Sequence, residues 1–224
     1  MRKLNFTLTE LLVVIAMITL LMTLLIPAIN NSKDMGKRLV CLNNTRTWGV
    51  GSMMYHKENL KFWDANNYPY RSGGKKGNSG WGRPRVSQRP VNKFLNYTTD
   101  GEEVAAALCP NDTYWRVDKT HSAYDFLGIS YCDNMAQNTI SRRGGNNHRS
   151  LRNISASLVE NPSTCLLFME WPVVSQSYRP NEDFPSWHKK QQFFNVTMVD
   201  GSATFLKILV RQVSSEKFNF EYDK

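Results

Sequence analysis

The side chains that could do chemistry are scattered through this sequence. Its four histidines, His56, His121, His148 and His188, lie far apart, and none has the HExxH spacing of a zinc helix. No Gly-x-Ser-x-Gly elbow, P-loop or strand-bound GxGxxG occurs; Gly73-Gly74 and Gly144-Gly145 are isolated loop pairs. The pattern predicts a chain that is not an enzyme and has no cofactor, with a dispersed carboxylate dyad left open. Cys41, Cys109, Cys132 and Cys165 contain no CxxC pair, which argues against a zinc knuckle or a thioredoxin-type site. Outside the cytoplasm they allow two disulfides in three connectivities; the alternative is buried free thiols. Lys75, Lys76, Arg83, Arg85 and Arg89, interleaved with Trp81, make a basic stretch within residues 71–89. Such a loop can bind nucleic acid or a glycan by neutralising phosphates and stacking bases, or it can simply be solvated.

Glu10 stands apart because its surroundings make a charge costly. Met1-Arg2-Lys3 is a cationic head, Phe6-Thr7-Leu8-Thr9-Glu10 follows, and Leu11 to Ile26 contains no charge. Phe6 to Ile29 spans 24 residues, enough to cross a hydrocarbon core of about 30 Å at about 1.5 Å per residue. An ionisable residue at the head of such a span needs a partner, so Glu10 marks a functional position. The cationic head favours the cytoplasmic side and sends the remainder across the membrane. A secretory signal peptide fits poorly. The run is longer than an h-region, and Ile26-Pro27-Ala28-Ile29 follows it in place of an A-x-A-like site.

Beyond the span the chain is polar. Hydrophobic residues make up 41% while the mean hydropathy is −0.45, so the apolar residues are concentrated at the start. A net charge of +9 favours anionic partners without choosing among them.

Arg2-Lys3-Leu4-Asn5 followed by Phe6-Thr7-Leu8-Thr9-Glu10-Leu11-Leu12-Val13-Val14-Ile15-Ala16 resembles the prepilin cleavage and methylation motif of type IV pilins and type II secretion pseudopilins. The resemblance implies a cut between Asn5 and Phe6 by a prepilin peptidase, and N-methylation of Phe6. It implies that Glu10 pairs with a Phe N-terminal ammonium during fibre assembly, and that Pro27 is the family's helix-kinking proline. Asn5 stands where the family usually has Gly. The implied partners are other pilin subunits, the peptidase and an inner-membrane assembly platform. The implied location is the bacterial inner membrane, with the C-terminal domain periplasmic before incorporation into a periplasmic or surface fibre.

The elements that must position these residues read as follows. Residues 1–5 form a leader, 6–29 a membrane or fibre-core helix, 30–59 its continuation and 60–224 a globular α+β domain. Met35, Leu39 and Leu42 supply the helical spacing, while Gly49 and Gly51 weaken the last turns. The whole helix would be a rod of roughly 50 residues, about 75 Å long. Residues 142–149 read as a further loop, and Cys165 to Glu170 is a buried run of strand length. Gln191 to Val199, Asp200-Gly201 and Ser202 to Val210 predict a hairpin whose two turn residues both want positive φ. Phe194, Val196 and Met198 alternate on one face, which suits a sheet packed on one side by the long helix. Glu216 to Lys224 reads as a final edge strand.

His188, with eleven residues before Asp200-Gly201, is similar to the His, nine residues, Asp-Gly element of one pilin-like group. A structural histidine and a turn-forming aspartate are weighed there against a catalytic or metal pair. Secretion pseudopilins bind calcium in a C-terminal loop, which makes Asp183 and Asp200, with Glu182, candidate ligands. The expected architecture is a pilin-like α+β fold, a long N-terminal helix on a small antiparallel sheet. The expected function is that of a fibre subunit, with a non-polymerising, membrane-anchored binding protein as the alternative.

Overall fold

The computed structural model describes residues 7–63, 68, 70–79, 84–113, 120–134, 150–178, 187–209 and 212–221. Asn5, Phe6, Trp81, Arg83, His148, Glu182, Asp183 and the loop at 142–149 lie outside the described residues. The architecture is α+β, with a helix α1 at Leu8–Asn59 and a four-stranded antiparallel sheet. The chain divides into two compact units, one ending at Gly36 and one beginning at Lys37.

In the first unit every described side chain from Leu8 to Ser32 is solvent-exposed, including Leu11, Leu20, Leu24 and Ile29. This segment holds a run long and apolar enough to cross a membrane. Its few hydroxyls return to their own helix. Thr19 Oγ1 donates to Ile15 O at 2.9 Å, Thr23 Oγ1 to Leu20 O at 2.7 Å and Ser32 Oγ to Ala28 O at 3.0 Å. None of them needs water, as a lipid-facing surface requires. The helix runs through Pro27 without ending.

In the second unit α1 buries Cys41, Asn44, Thr45, Trp48, Gly49 and Ser52, a stripe at three- and four-residue spacing. Those are not the apolar residues the sequence pattern selects. Met35 and Leu39 are exposed, as are Val40, Val50 and Met54. The inward stripe mixes small and polar residues with Trp48, whose ring stacks against Phe168 and Tyr97, and its glycines let the backbone come close to the sheet. A Cβ on Gly49 would come within 2.5 Å of Thr197 Cγ2, and one on Gly51 within 2.7 Å of Val91 Cγ1. Both glycines are therefore close-approach positions, and α1 continues past them to Asn59.

The sheet has the order β1 (Tyr131–Asp133), β2 (Leu166–Glu170), β3 (Phe193–Met198) and β4 (Ala203–Lys207). Tyr131 pairs with Glu170, Met169 with Val196, and Asn195 with Phe205. β3 is buried on both faces from Phe194 to Met198, which corrects the one-sided expectation. Asn195 and Thr197 meet α1, and Phe194, Val196 and Met198 point the other way. The hairpin forms, with a different turn. Met198 N–H donates to Ser202 O and Gly201 N–H to Met198 O, leaving Val199, Asp200 and Gly201 as a three-residue loop. Only Gly201 takes positive φ, +84°, the geometry of a type I turn closed by a G1 bulge. Helix α2 (Ala123–Leu127) precedes β1 and helix α3 (Trp171–Tyr178) follows β2 directly. The tail forms a small hairpin of β5 (Ser214–Ser215) and β6 (Phe218–Asn219) rather than an edge strand of the main sheet.

Candidate functional site

Two places gather the residues that the sequence singles out. The first is the start of α1. Thr7 N–H and Thr7 Oγ1 both donate to Glu10 Oε2 at 2.8 Å, and Glu10 N–H donates back to Thr7 Oγ1 at 3.3 Å. That reciprocal pair is a capping box, which satisfies donors that a helix N-terminus leaves orphaned. The Thr-x-x-Glu spacing is the sequence signal for such a box. Glu10 therefore has a local task that needs no second chain.

The second place is buried between α1 and the sheet. Glu170 ends β2 and is fully buried. His188 Nε2 lies 2.6 Å from Glu170 Oε1, Asn195 Nδ2 donates to Oε1 at 2.7 Å, and Asn195 N–H donates to Oε2 at 3.1 Å. On its other side His188 Nδ1 lies 3.1 Å from Asn111 Nδ2. Phe205 meets the His188 ring edge-on at 5.8 Å, and Arg38 lies over Phe205 at 4.7 Å. The disulfide between Cys41 of α1 and Cys109 adjoins this cluster, with its Cα atoms 5.0 Å apart. Asn44 Nδ2 donates to Leu108 O at 2.9 Å and Trp48 Nε1 to Ala106 O at 2.8 Å, so the same segment is strapped to α1 three ways.

Only one disulfide forms among the described cysteines. Cys132 and Cys165 are buried and share no disulfide, the second of the two arrangements the sequence allows. Cys132 stands opposite Met169, four residues along β2 from Cys165. At about 3.3 Å per residue that is roughly 13 Å, beyond the roughly 7 Å a disulfide spans. Burial pushes the Cys165 thiol up to about 12.

The structure does not bring His188 and Asp200 together as a hydrogen-bonded pair. Asp200 Oδ1 accepts from Ser202 N–H at 2.8 Å and Ser202 Oγ at 2.6 Å, which makes it a turn residue. His188 instead meets Glu170 and Asn195, which the sequence reading did not select. The signal available for Glu170 was a carboxylate closing an otherwise apolar strand.

Of the described basic residues Arg89 is folded into the core, Lys75 is half-buried, and Lys76 and Arg85 are at the surface. Arg89 is buried, and its guanidinium donates to Tyr70 O at 2.7 Å, Gly73 O at 2.6 Å and Leu127 O at 2.8 Å. Burial lowers it to about 9. Lys75 pairs with Glu103 at 3.1 Å and sits over the Tyr124 ring, and Arg85 lies 3.7 Å from Asp100. Hydrogen bonding from Tyr124, reinforced by Lys75, holds Glu103 below the usual carboxylate range. Three of the five cations thus serve the fold.

No family model matches the chain, and no curated protein or solved structure matches it.

Proposed function

We propose that this chain is a single-pass membrane subunit that assembles into a pilus-like or secretion-pseudopilus-like fibre through α1. The observation that carries the proposal is the surface of α1. An uncharged run from Leu11 to Ile26 is wholly exposed, and Met35, Leu39, Val40, Val50 and Met54 of the same helix are exposed as well. Exposed apolar area on this scale marks a membrane or protein contact. In the proposal the prepilin motif is cut between Asn5 and Phe6, Phe6 is methylated, and the sheet-bearing unit lies on the periplasmic side. Neighbouring α1 helices then pack along their apolar surfaces, and Glu10 receives the Phe6 ammonium of an adjacent subunit. In a low-dielectric bundle an unpaired carboxylate is heavily penalised, so charge pairing sets the register.

A second reading has its own observation. The Thr7–Glu10 capping box gives Glu10 a structural role in a chain that is anchored and never polymerises. Two measurements separate the readings. The first is intact mass of protein isolated from native membranes. Fibre processing predicts a chain beginning at Phe6, 219 residues after five are removed from 224, plus one methyl group. The second compares Glu10→Gln with Glu10→Ala. Gln retains the capping geometry and loses the charge. If charge pairing drives assembly, both variants insert normally and both lose fibres. Fibres from Glu10→Gln at wild-type yield would overturn that role, and an uncut N-terminus would favour the anchored protein.

A further inference from the structure

The Cys41–Cys109 disulfide keeps unusual company. Glu170 and His188 are both buried against it, and one ligand-type atom from each of Cys41, Cys109, Glu170 and His188 lies within 4.8 Å of the other three. A disulfide has no use for a buried carboxylate and imidazole, which are costly to desolvate and which well-packed apolar groups would replace at no loss. Two sulfurs, one imidazole nitrogen and one carboxylate oxygen are, however, a complete donor set for a four-coordinate zinc-type ion.

We propose that these four residues form a buried Zn²⁺ site whenever the disulfide is reduced, so that one place in the fold holds either a sulfur–sulfur bond or a metal. The geometry is close to what the ion needs. Bond lengths of about 2.0–2.3 Å place tetrahedral ligand atoms roughly 3.3–3.8 Å apart. Once the disulfide opens, the sulfurs separate, the His188 Nε2–Glu170 Oε1 pair at 2.6 Å opens by roughly 0.7 Å, and any pair near the 4.8 Å limit closes by about 1–1.5 Å. The ligands come from α1, the segment after Ala105–Ala107, the end of β2 and the turn before β3. A bound ion would therefore join the elements that the disulfide joins, and two more.

The outer groups suit the exchange. Asn111 reaches the second imidazole nitrogen, and its terminal amide can present oxygen or nitrogen, so it can accept from Nδ1–H when Nε2 binds metal. Asn195 already donates twice to the Glu170 carboxylate, which orients the oxygen ligand. The step balances with a thiol reductant. The disulfide and two external thiols become two cysteine thiolates, one external disulfide and two protons. The thiolates take up Zn²⁺ in place of protons. Oxidation by an external disulfide reverses the step and expels the ion.

The test uses the full chain in mild detergent, with and without phosphine reduction, titrated with Co²⁺ and then Zn²⁺. The reduced chain should take up one Co²⁺, with tetrahedral ligand-field bands and a thiolate charge-transfer band, and Zn²⁺ should displace it. Zn²⁺ should raise the thermal midpoint of the reduced chain and leave that of the oxidised chain unchanged. His188→Asn and Glu170→Gln can each be checked for folding in the oxidised form. On reduction each should bind Co²⁺ more than about tenfold more weakly. Equal Co²⁺ uptake by the oxidised and reduced chains overturns the proposal. So does undiminished uptake by reduced His188→Asn, or a reduced chain that zinc neither stabilises nor refolds.

Discussion

Replacing Gly49 with alanine should destabilise this protein, although alanine is the better helix former. The two effects have opposite signs and comparable size. An interior helical glycine costs about 1 kcal/mol relative to alanine. Against that gain, the new Cβ would lie 2.5 Å from Thr197 Cγ2, when comfortable carbon–carbon contact is about 3.5–4.0 Å. The neighbour is a β-branched side chain on a strand buried on both faces, so it has little room to yield. Overpacking of this kind costs typically about 1–3 kcal/mol, which leaves a net loss of up to about 2 kcal/mol. Thr197→Ser deletes the offending Cγ2 and leaves Cβ at 3.3 Å and Oγ1 at 3.8 Å from the new atom. In that background Gly49→Ala should become neutral or stabilising by up to about 1 kcal/mol. The assay is denaturant unfolding of the full chain in mild detergent, followed by fluorescence of buried Trp48. The coupling energy of the double-mutant cycle should reach about 1–3 kcal/mol. The same effect of Gly49→Ala in both backgrounds would refute the claim that helix and sheet touch at this glycine.

Three further outcomes follow from particular contacts. Alkylation with iodoacetamide should add no groups to the native chain, two in denaturant, at Cys132 and Cys165, and two more only after reduction, read by intact mass. A native chain that alkylates readily would contradict their burial. Arg89→Met should cost at least about 3 kcal/mol in denaturant unfolding, because the carbonyls of Tyr70, Gly73 and Leu127 lose their donor together. Arg89→Lys should rescue little of this, since one ammonium cannot replace a planar fork; full rescue would refute the clamp. Burial holds His56 below its ordinary value of 6.5, and its Nε2 accepts from Ala156 N–H at 2.8 Å. Its folded value is the lower one, so its contribution is present above 6.5 and lost as pH falls through the folded value. Between about pH 7.5 and 5.5 the wild type should therefore lose more thermal stability than His56→Gln, which keeps an acceptor without a titrating group. Equal losses would sink this role.

The parts of this fold legible in the sequence are those where one local rule acts alone. The apolar run needs only a count of uncharged residues, and the Asp-Gly hairpin needs only turn chemistry. Even there Val199 joined the loop, because a G1 bulge uses Gly201 alone at positive φ. The buried cluster obeys no local rule. Cys41, Cys109, Glu170 and His188 come from four separate segments, and only the folding of α1 onto the sheet brings them together. No spacing within the sequence encodes that meeting.

The long helix shows why the strongest pattern can point the wrong way. Hydrophobic periodicity selects Met35, Leu39 and Leu42, yet the inward stripe is Cys41, Asn44, Thr45, Trp48, Gly49 and Ser52. The inner contact mixes close-approach glycines, hydrogen-bonding Asn44 and Thr45 and one large ring, Trp48, so it carries no regular apolar signal. Apolar periodicity reports where a helix is suited to meet something greasy, without saying that the surface belongs to the same chain. In α1 the two demands fall on different faces. Within residues 37–59 one face is spent on the sheet, while Leu39, Val40, Val50 and Met54 are left outward. Under the assembly proposal that outer face is the contact between subunits. Charged substitutions at Leu39 or Val50 should then abolish fibres while leaving the unfolding midpoint of the sheet-bearing unit unchanged. Loss of stability without loss of assembly would place the apolar face inside this chain after all.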